Sequence, residues 1–393
     1  MNIKKVKLRF TLMQFLLWFT FGTFGIFYIA YIRELGYSSK FIALGLTLST
    51  ICGIGAQYFW GYISDLTSKI KTIFLGLLVA MMLTVTLFIF FVQYSSLVIL
   101  IMIFFGVTWM PLEALLDSWI LSTDDLPHSK YGSIRSGGSL GFSVITLFFG
   151  SLIVRFGFKI SPIAFVLSGT LLFFLALTTK THTSKIPTPM GLTQLRQLLS
   201  NTKYVAILVF SILIFVGHMG INNFYIYIVS GVGGNESLIG LAAAAAAFSE
   251  IFGFYFGGKL QNKINPMLLM IGVAIGSFCR VYFLAQSQSY VGVILTAVIQ
   301  GLTFSIFLGT FKIYIAEITP IYLLASAQTI AASTYFGIAS IIANVFGGIL
   351  IDDYGMEAFY NFLILVAGIA VVYSFVLYFF NRSHIPKEVN EVI

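Results

Sequence analysis

Long apolar runs, each closed by a few polar residues, recur twelve times along the chain. They cover residues 8–32, 39–64, 71–92, 97–121, 132–154 and 160–179, then 204–230, 237–259, 266–285, 290–312, 325–350 and 357–380. Each has the ~20 residues that an α-helix needs to cross a bilayer. A transmembrane β-barrel would show roughly ten-residue segments of alternating polarity. These runs are continuous and twice as long, so the pattern predicts helices. Two breaks, Gln93-Tyr94-Ser95-Ser96 and Gln286-Ser287-Gln288-Ser289, carry no charge and rest on polarity alone. The first run follows Lys4, Lys5, Lys7 and Arg9, as a secretory leader would. It is too long for one and no small-x-small cleavage site follows, so it is expected to be retained.

Composition agrees with this reading. Of 393 residues 59% are apolar or aromatic and 9% are charged, against roughly 25% charged in a soluble domain. A water-surrounded globule, a disordered chain and a collagen are excluded, and twelve spans leave no room for an attached soluble catalytic domain. Cys52 and Cys279 both lie in apolar runs, which argues against a disulfide and against a CxxC metal site. If the N-terminus is inside and the spans alternate, sixteen Lys and Arg fall on the inner side. Only Arg33, Lys40, Arg155 and Lys159 fall on the outer side, and Arg135 and Arg280 lie within spans. The positive-inside rule then puts both termini in the cytoplasm of a cell membrane, with a bacterial plasma or inner membrane expected. It also accounts for the net charge of +8 without nucleic acid, because no basic cluster is dense enough to track a phosphate backbone.

The two halves repeat. Trp60-Gly61-Tyr62-Ile63-Ser64-Asp65 matches Phe256-Gly257-Gly258-Lys259-Leu260-Gln261 at an offset of 196, and Phe149-Gly150 with Gly157 matches Phe346-Gly347 with Gly355 at 197 to 198. The expected organisation is all-α: a six-helix bundle over residues 1–180, a cytoplasmic linker over 181–203 and a second six-helix bundle over 204–393. Leu192, Leu195 and Leu199 place a short surface helix in the linker. Six helices repeated in parallel orientation is a transporter plan, with the site at mid-membrane between the halves.

Charges inside the spans then carry the chemistry. A charge at a helix centre costs about 2.5–3.5 kcal/mol on insertion scales, so a buried one is a functional candidate by default. The candidates are Glu113 and Asp117 in the fourth span, Arg135 in the fifth, Glu250 in the eighth and Arg280 in the ninth. Glu113 and Asp117 share a helical face, just beyond Pro111, and compete for Arg135 on the next, antiparallel helix. An acid–Arg pair at 4 Å is worth roughly 4 kcal/mol at an effective dielectric of 20, which leaves one carboxylate for a proton or a solute cation. A structural clamp at the span ends is the alternative. Glu250 follows the alanines 242–247 in a tight interior, with Arg280 expected nearby, and is the candidate proton carrier. His218, Asn222, Asn223 and Gln300 form further polar positions. Tyr28, Tyr31, Trp109 and Phe304 are candidates for stacking on a solute ring as well as for plain packing.

No HExxH, GxSxG, Walker A loop or Cys/His cluster is present. The four histidines, at 128, 182, 218 and 384, are scattered. Neither an enzyme, a metal site nor a cofactor is expected, and any pumping must draw on an ion gradient.

The loop Gly61-Tyr62-Ile63-Ser64-Asp65-Leu66-Thr67-Ser68-Lys69-Ile70-Lys71 resembles the signature between the second and third helices of the major facilitator superfamily. Gly61, Asp65 and Lys69 match it, whereas Leu66 stands at a basic position and Ser68 at a glycine. The resemblance implies a gating role for these three residues, Asp65 bracing the cytoplasmic gate against a helix terminus. Tyr131-Gly132-Ser133-Ile134-Arg135-Ser136-Gly137-Gly138-Ser139-Leu140-Gly141-Phe142, Ser249-Glu250-Ile251 and Gln300-Gly301-Leu302-Thr303-Phe304 are similar to motifs of one branch of that superfamily. The branch holds phenylpropionate permeases, nucleoside:proton symporters and lactose-permease-like symporters. The resemblance implies that Asp117 and Arg135 bind solute and that Glu250 and Arg280 couple it to the proton. Gln300 and Thr303 replace the histidine and acid of the sugar symporters. The expected function is proton-coupled symport, by a monomer, of a small organic solute of the sugar, nucleoside or aromatic acid class. Proton-coupled efflux of amphipathic compounds is the alternative, and a non-transporting membrane sensor or lipid-handling protein is a reading of another class.

Overall fold

The computed structural model describes residues 3–123, 131–179, 192–261, 263–320 and 323–382. Helices α1 (Ile3–Phe24) and α2 (Tyr28–Glu34) form the first crossing. They are followed by α3 (Ser39–Thr67), α4 (Ile70–Phe91), α5 (Ser95–Leu121), α6 (Tyr131–Phe156) and α7 (Ile160–Thr178). After the short α8 (Leu192–Leu199), the second half holds α9 (Thr202–Asn223) with α10 (Tyr225–Gly231), α11 (Glu236–Gln261), α12 (Pro266–Ala285) and α13 (Tyr290–Ile318). It ends with α14 (Leu324–Ala332), a π-helical turn at Ser333–Ile338, and α15 (Ala339–Arg382). The two uncharged breaks are true turns, Ser95 opening α5 and Ala285 closing α12.

Eleven helical stretches among the described residues are long and apolar enough to cross a membrane, and the last, Ser326–Phe380, has 55 residues. That stretch makes two crossings, because its backbone leaves helical geometry at Gly355 (φ 83°, ψ 177°). The packing shows the reversal. Phe346 and Phe362 stack with centroids 5.2 Å apart, although 16 residues of straight helix would separate them by about 24 Å. A side chain with a Cβ would pay heavily for φ near +80°, so glycine is required there. Twelve crossings bring the start of α1 and the end of α15 to one side, here called the terminal face, and α2, α10 and Gly355 mark the far face.

The halves repeat in structure as they do in sequence. Gly157 and Gly355, both at positive φ (79° and 83°), close matching helices, and Gly36 (87°) and Gly233 (76°) form a further pair 197 positions apart. The first helix of each half also breaks at one equivalent point, with Phe27 opening α2 and Phe224 opening α10. The sequence pattern treats 8–32 and 204–230 as single spans, because the breaking residues are as apolar as their neighbours.

The bundles meet along two seams, α6 against α11 and α3 against α15. At the first seam, a Cβ at Gly150 would collide with the Glu236 carbonyl and one at Gly240 with the Thr146 carbonyl. Small residues therefore set this close approach. Ser151 and Ser237 hydroxyls meet at 2.8 Å, and Ser143 donates to the Ala244 carbonyl at 3.2 Å. At the second seam, Asp352 accepts from the Ser39 and Lys40 backbone N–H groups at 2.9 and 2.8 Å, and the Lys40 ammonium reaches Asp353 at 2.5 Å. Arg33 adds a bond to Ser230 at 2.6 Å and lies 4.4 Å over the Tyr227 ring. The far face is thus clasped shut between the halves.

Candidate functional site

Arg135 is the centre of the site. It lies one turn into α6, beside Gly137 and Gly138, which let α1 come close. Its guanidinium lies 4.6 Å over the Trp18 ring of α1 and its Nη2 donates to Glu113 Oε1 of α5 at 3.3 Å. Glu113 stands eight residues, about 12 Å, from the terminal-face end of α5. Its side chain is still 32% exposed and that of Arg135 29%. Two charges packed among helices keep that exposure only where water enters between them. The far face being clasped, water reaches them from the terminal face.

Glu113 and Asp117 do share a face, but they divide their partners. Glu113 takes the arginine. Asp117 accepts from the buried Gln14 Nε2 of α1 at 2.7 Å, so α1 supplies a donor that spacing along α5 does not reveal. Lys312, exposed on α13 of the other bundle, adds its charge to the field around Asp117, Glu113 and Arg135.

Glu250 comes to the same place from the second bundle. Ser139 Oγ of α6 donates to its Oε2 at 3.3 Å, and the Arg135 charge acts on it across the seam. Arg280 is the neighbour expected from the sequence, but among the described residues no ion pair joins the two. Glu250 points out of its own bundle toward the first half, whereas Arg280 points into the interior of the second. Gly253, one turn on, has no room for a Cβ beside Ser305 of α13, so α11 sits against α13 and directs Glu250 to the seam.

An aromatic wall continues from Arg135. Trp18 meets Trp109 edge-on at 5.5 Å, and Trp109 stacks on Phe21 at 4.2 Å. Trp109 thus stands beside the ion pair. Tyr28 does not. It is 5% exposed and stacked on Phe24 at 5.3 Å within the first bundle. Tyr31 stacks on Phe158 at 4.3 Å, and both rings pack the far-face end of the bundle.

In the second bundle His218 stacks on Phe304 at 5.1 Å, and its Nε2 lies 3.0 Å from Asn222 Nδ2. Asn222 is exposed, which leaves this pair open to solvent on one side. Asn223 turns the other way, donating to Asn344 Oδ1 at 2.7 Å and to Ser340 at 3.3 Å. It therefore ties α9 to α15. Gln300 accepts from Arg280 Nη2. At the terminal face Gly61 lies in α3 with open space at its Cβ position. Ser68 closes α3 in the left-handed region (φ 54°), and Lys69 opens α4, exposed. Asp65 belongs to α3, and its side chain lies outside the described residues, as do His128, His182 and His384.

Trp18, Gln14 and Ser139 are site residues that sequence reasoning did not single out. Gln14 and Trp18 are four apart on an apolar helix and share a face, the one available signal. Among the described residues no group of His, Cys, Asp and Glu could hold a metal ion.

Comparison with known proteins agrees with this architecture. The profile of the MFS_1 like family matches residues 8–363. The maltose permease of Geobacillus stearothermophilus is 26% identical over 369 residues, 93% of each chain. The uncharacterized transporter YwbF of Bacillus subtilis (strain 168) is 26% identical over 343 residues, 84% of this chain and 82% of that one. Among solved structures, the nucleoside transporter NupG superposes with a TM-score of 0.80 at 16% identity, covering 96% of this chain and 98% of that one. A bacterial homolog of the human lysosomal transporter Spinster, solved inward-facing and unoccupied, superposes at 0.63 with 14% identity and 95% coverage of both chains.

Proposed function

The chain belongs to the MFS_1 like family, within the major facilitator superfamily of membrane transporters, and on that premise we propose that it is a proton-coupled symporter for a small hydroxylated ring solute, a sugar or a nucleoside. One observation carries the reading: Arg135, Glu113 and Glu250 converge at the seam between the bundles, beside Trp18, where water reaches them. A sugar or ribose hydroxyl pair can accept from Arg135 and donate to Glu113, while the ring lies on the tryptophan. The maltose permease relative and the fold shared with a nucleoside transporter support that class.

Coupling follows from the charge count. Glu113 and Glu250 share one guanidinium. A solute that engages Arg135 takes up hydrogen-bonding capacity that Glu250 otherwise faces, and a proton on Glu250 replaces the lost countercharge. Loaded with both, the seam carries less unbalanced charge and the bundles rock past each other. A proton crossing 100 mV supplies about 2.3 kcal/mol, which at 1.36 kcal/mol per decade supports a solute gradient of roughly 50-fold. Both termini lie in the cytoplasm of a bacterial plasma membrane in this reading, supported by the sixteen basic residues that the alternation of spans in the sequence assigns to the inner side against four on the outer one.

The test uses vesicles of known orientation. Solute addition is expected to alkalinise the medium of right-side-out vesicles. Glu250→Gln is expected to lose that signal while solute counterflow continues. Unchanged alkalinisation in Glu250→Gln would remove Glu250 as the carrier. Acidification on solute addition would instead make the protein an antiporter.

A further inference from the structure

We infer that a narrow pocket around Arg280, inside the second bundle and open to solvent beside His218, binds a small monovalent anion that balances the Arg280 charge. Arg280 is 4% exposed. Its Nη2 donates to the neutral Gln300 amide, its Nε is buried without a partner, and among the described residues no carboxylate pairs with it. The acids within the spans are engaged elsewhere: Glu113 with Arg135 and Asp117 with Gln14 in the first bundle, and Glu250 with Ser139 across the seam.

The groups around Arg280 sharpen the point. Its cavity, about 20 Å³, is bordered by His218, Ser277, Thr303 and Phe304, which is room for one particle the size of a water. The polar groups nearby already have partners of their own. Gln300 Oε1 takes the Arg280 bond, and His218 Nε2 lies against Asn222. The Thr303 hydroxyl donates its proton to the Ile299 and Gln300 carbonyls. Two buried groups here have no partner: the Arg280 Nε–H at the cavity, and the Tyr225 hydroxyl, which is not among the residues bordering it. A site with a spare guanidinium donor and an unbalanced positive charge rejects cations. A water would satisfy the donor and leave the charge, whereas an anion satisfies both. Two sources share this chemistry: a free halide, and the carboxylate end of a carried solute.

The experiment reads binding without transport, so its failure is distinct from failure of the coupling scheme. Thermal unfolding of the full-length protein in detergent is followed in sodium chloride, sodium acetate and sodium gluconate at equal ionic strength. Chloride is expected to raise the melting temperature saturably over gluconate, and Arg280→Gln to flatten that response. A response to acetate but not chloride, also lost in Arg280→Gln, assigns the site to a carboxylate. Should Arg280→Gln fail to fold, crystals of the unsubstituted protein soaked in bromide supply the direct reading, with an anomalous peak beside Arg280 Nε expected. Flat chloride and acetate titrations, a response that survives in folded Arg280→Gln, or a bromide-soaked map without that peak when chloride was the responding ion would each overturn the inference.

Discussion

Asp352 holds the far face closed, and its replacement by asparagine should measure how strongly. Its carboxylate receives the Ser39 and Lys40 N–H groups at the N-terminus of α3, a helix of the other bundle, at 2.9 and 2.8 Å. A bond to a charged acceptor is worth about 1.5–3 kcal/mol net, and although Ser39 is buried, Asp352 and Lys40 are exposed to solvent, which places the clasp at the low end. In Asp352→Asn the amide side chain would keep one carbonyl acceptor and lose the charge. The loss is then one bond plus about 0.3–1 kcal/mol of attraction to the helix N-terminus, or ~2 kcal/mol in all. At 1.36 kcal/mol per decade that moves the ratio of far-face-open to far-face-closed protein about 30-fold.

Asp353 provides the internal comparison. Its pair with Lys40 is short, 2.5 Å, but the side chains are 43% and 48% exposed, so the pair is worth about 0–1 kcal/mol and Asp353→Asn should shift the ratio no more than about fivefold. Spin labels at the exposed Leu35 and Tyr354 straddle the far face, and pulsed dipolar distances in nanodiscs without solute report both populations. A growing long-distance population in Asp352→Asn, well beyond that in Asp353→Asn, is the expected result. Equal shifts in the two variants, or an unchanged distribution in Asp352→Asn, would refute the clasp.

Glycine positions separate folding from gating. Gly141→Ala puts a Cβ onto the Phe15 carbonyl inside the first bundle and should cost about 1–3 kcal/mol, read as a lowered melting temperature. Gly150→Val presses instead on Glu236 across the seam, and the same labels should show the far face opening with a smaller fall in melting temperature. Ser68 closes α3 at φ 54°, the position where the family signature carries glycine, so Ser68→Gly should stabilise by about 1 kcal/mol, seen in thermal unfolding. Trp18→Ala removes the ring under Arg135 and should weaken solute binding by ~1–2 kcal/mol, measured by calorimetry, while Trp18→Phe keeps part of it.

The spans were legible because a bilayer imposes one length on every apolar helix, and the twofold repeat because glycines at positive φ cannot drift. Interior charges stood out for the same reason, since each is costly in hydrocarbon. Their pairing was not legible. Periodicity puts Glu113 and Asp117 on one face but cannot say that Gln14 of α1 will claim Asp117. It predicts a buried Glu250 and a buried Arg280 but not that Gly253 presses α11 onto α13 and turns Glu250 outward. Asp352 escaped notice because two acids in a short turn read as an ordinary solvated loop.

α3 links these parts. Its first residues are held by Asp352 on the far face, Gly348 lies against Ala43, and Ile54 packs at Gly337 in the π-helical turn. Lower still, Tyr58 reaches Ser333 at 3.1 Å. The contact between α3 and the eleventh crossing thus persists through the membrane, even though water reaches Arg135 from the terminal face. A helix that stays in contact along its length while its ends alternate between clasps is suited to serve as the axle of the motion. Asp65 would occupy the second clasp, by its resemblance to the family signature, at the opposite end of the same helix from the residues Asp352 grips. Opening one face would then release Asp352 from the start of α3 and engage Asp65 at its end, so that both gates are worked through one rigid rod. The π-helical turn at Ser333–Ile338 lies where α3 crosses it, and the widened backbone of such a turn gives the eleventh crossing a place to bend as the clasp changes ends.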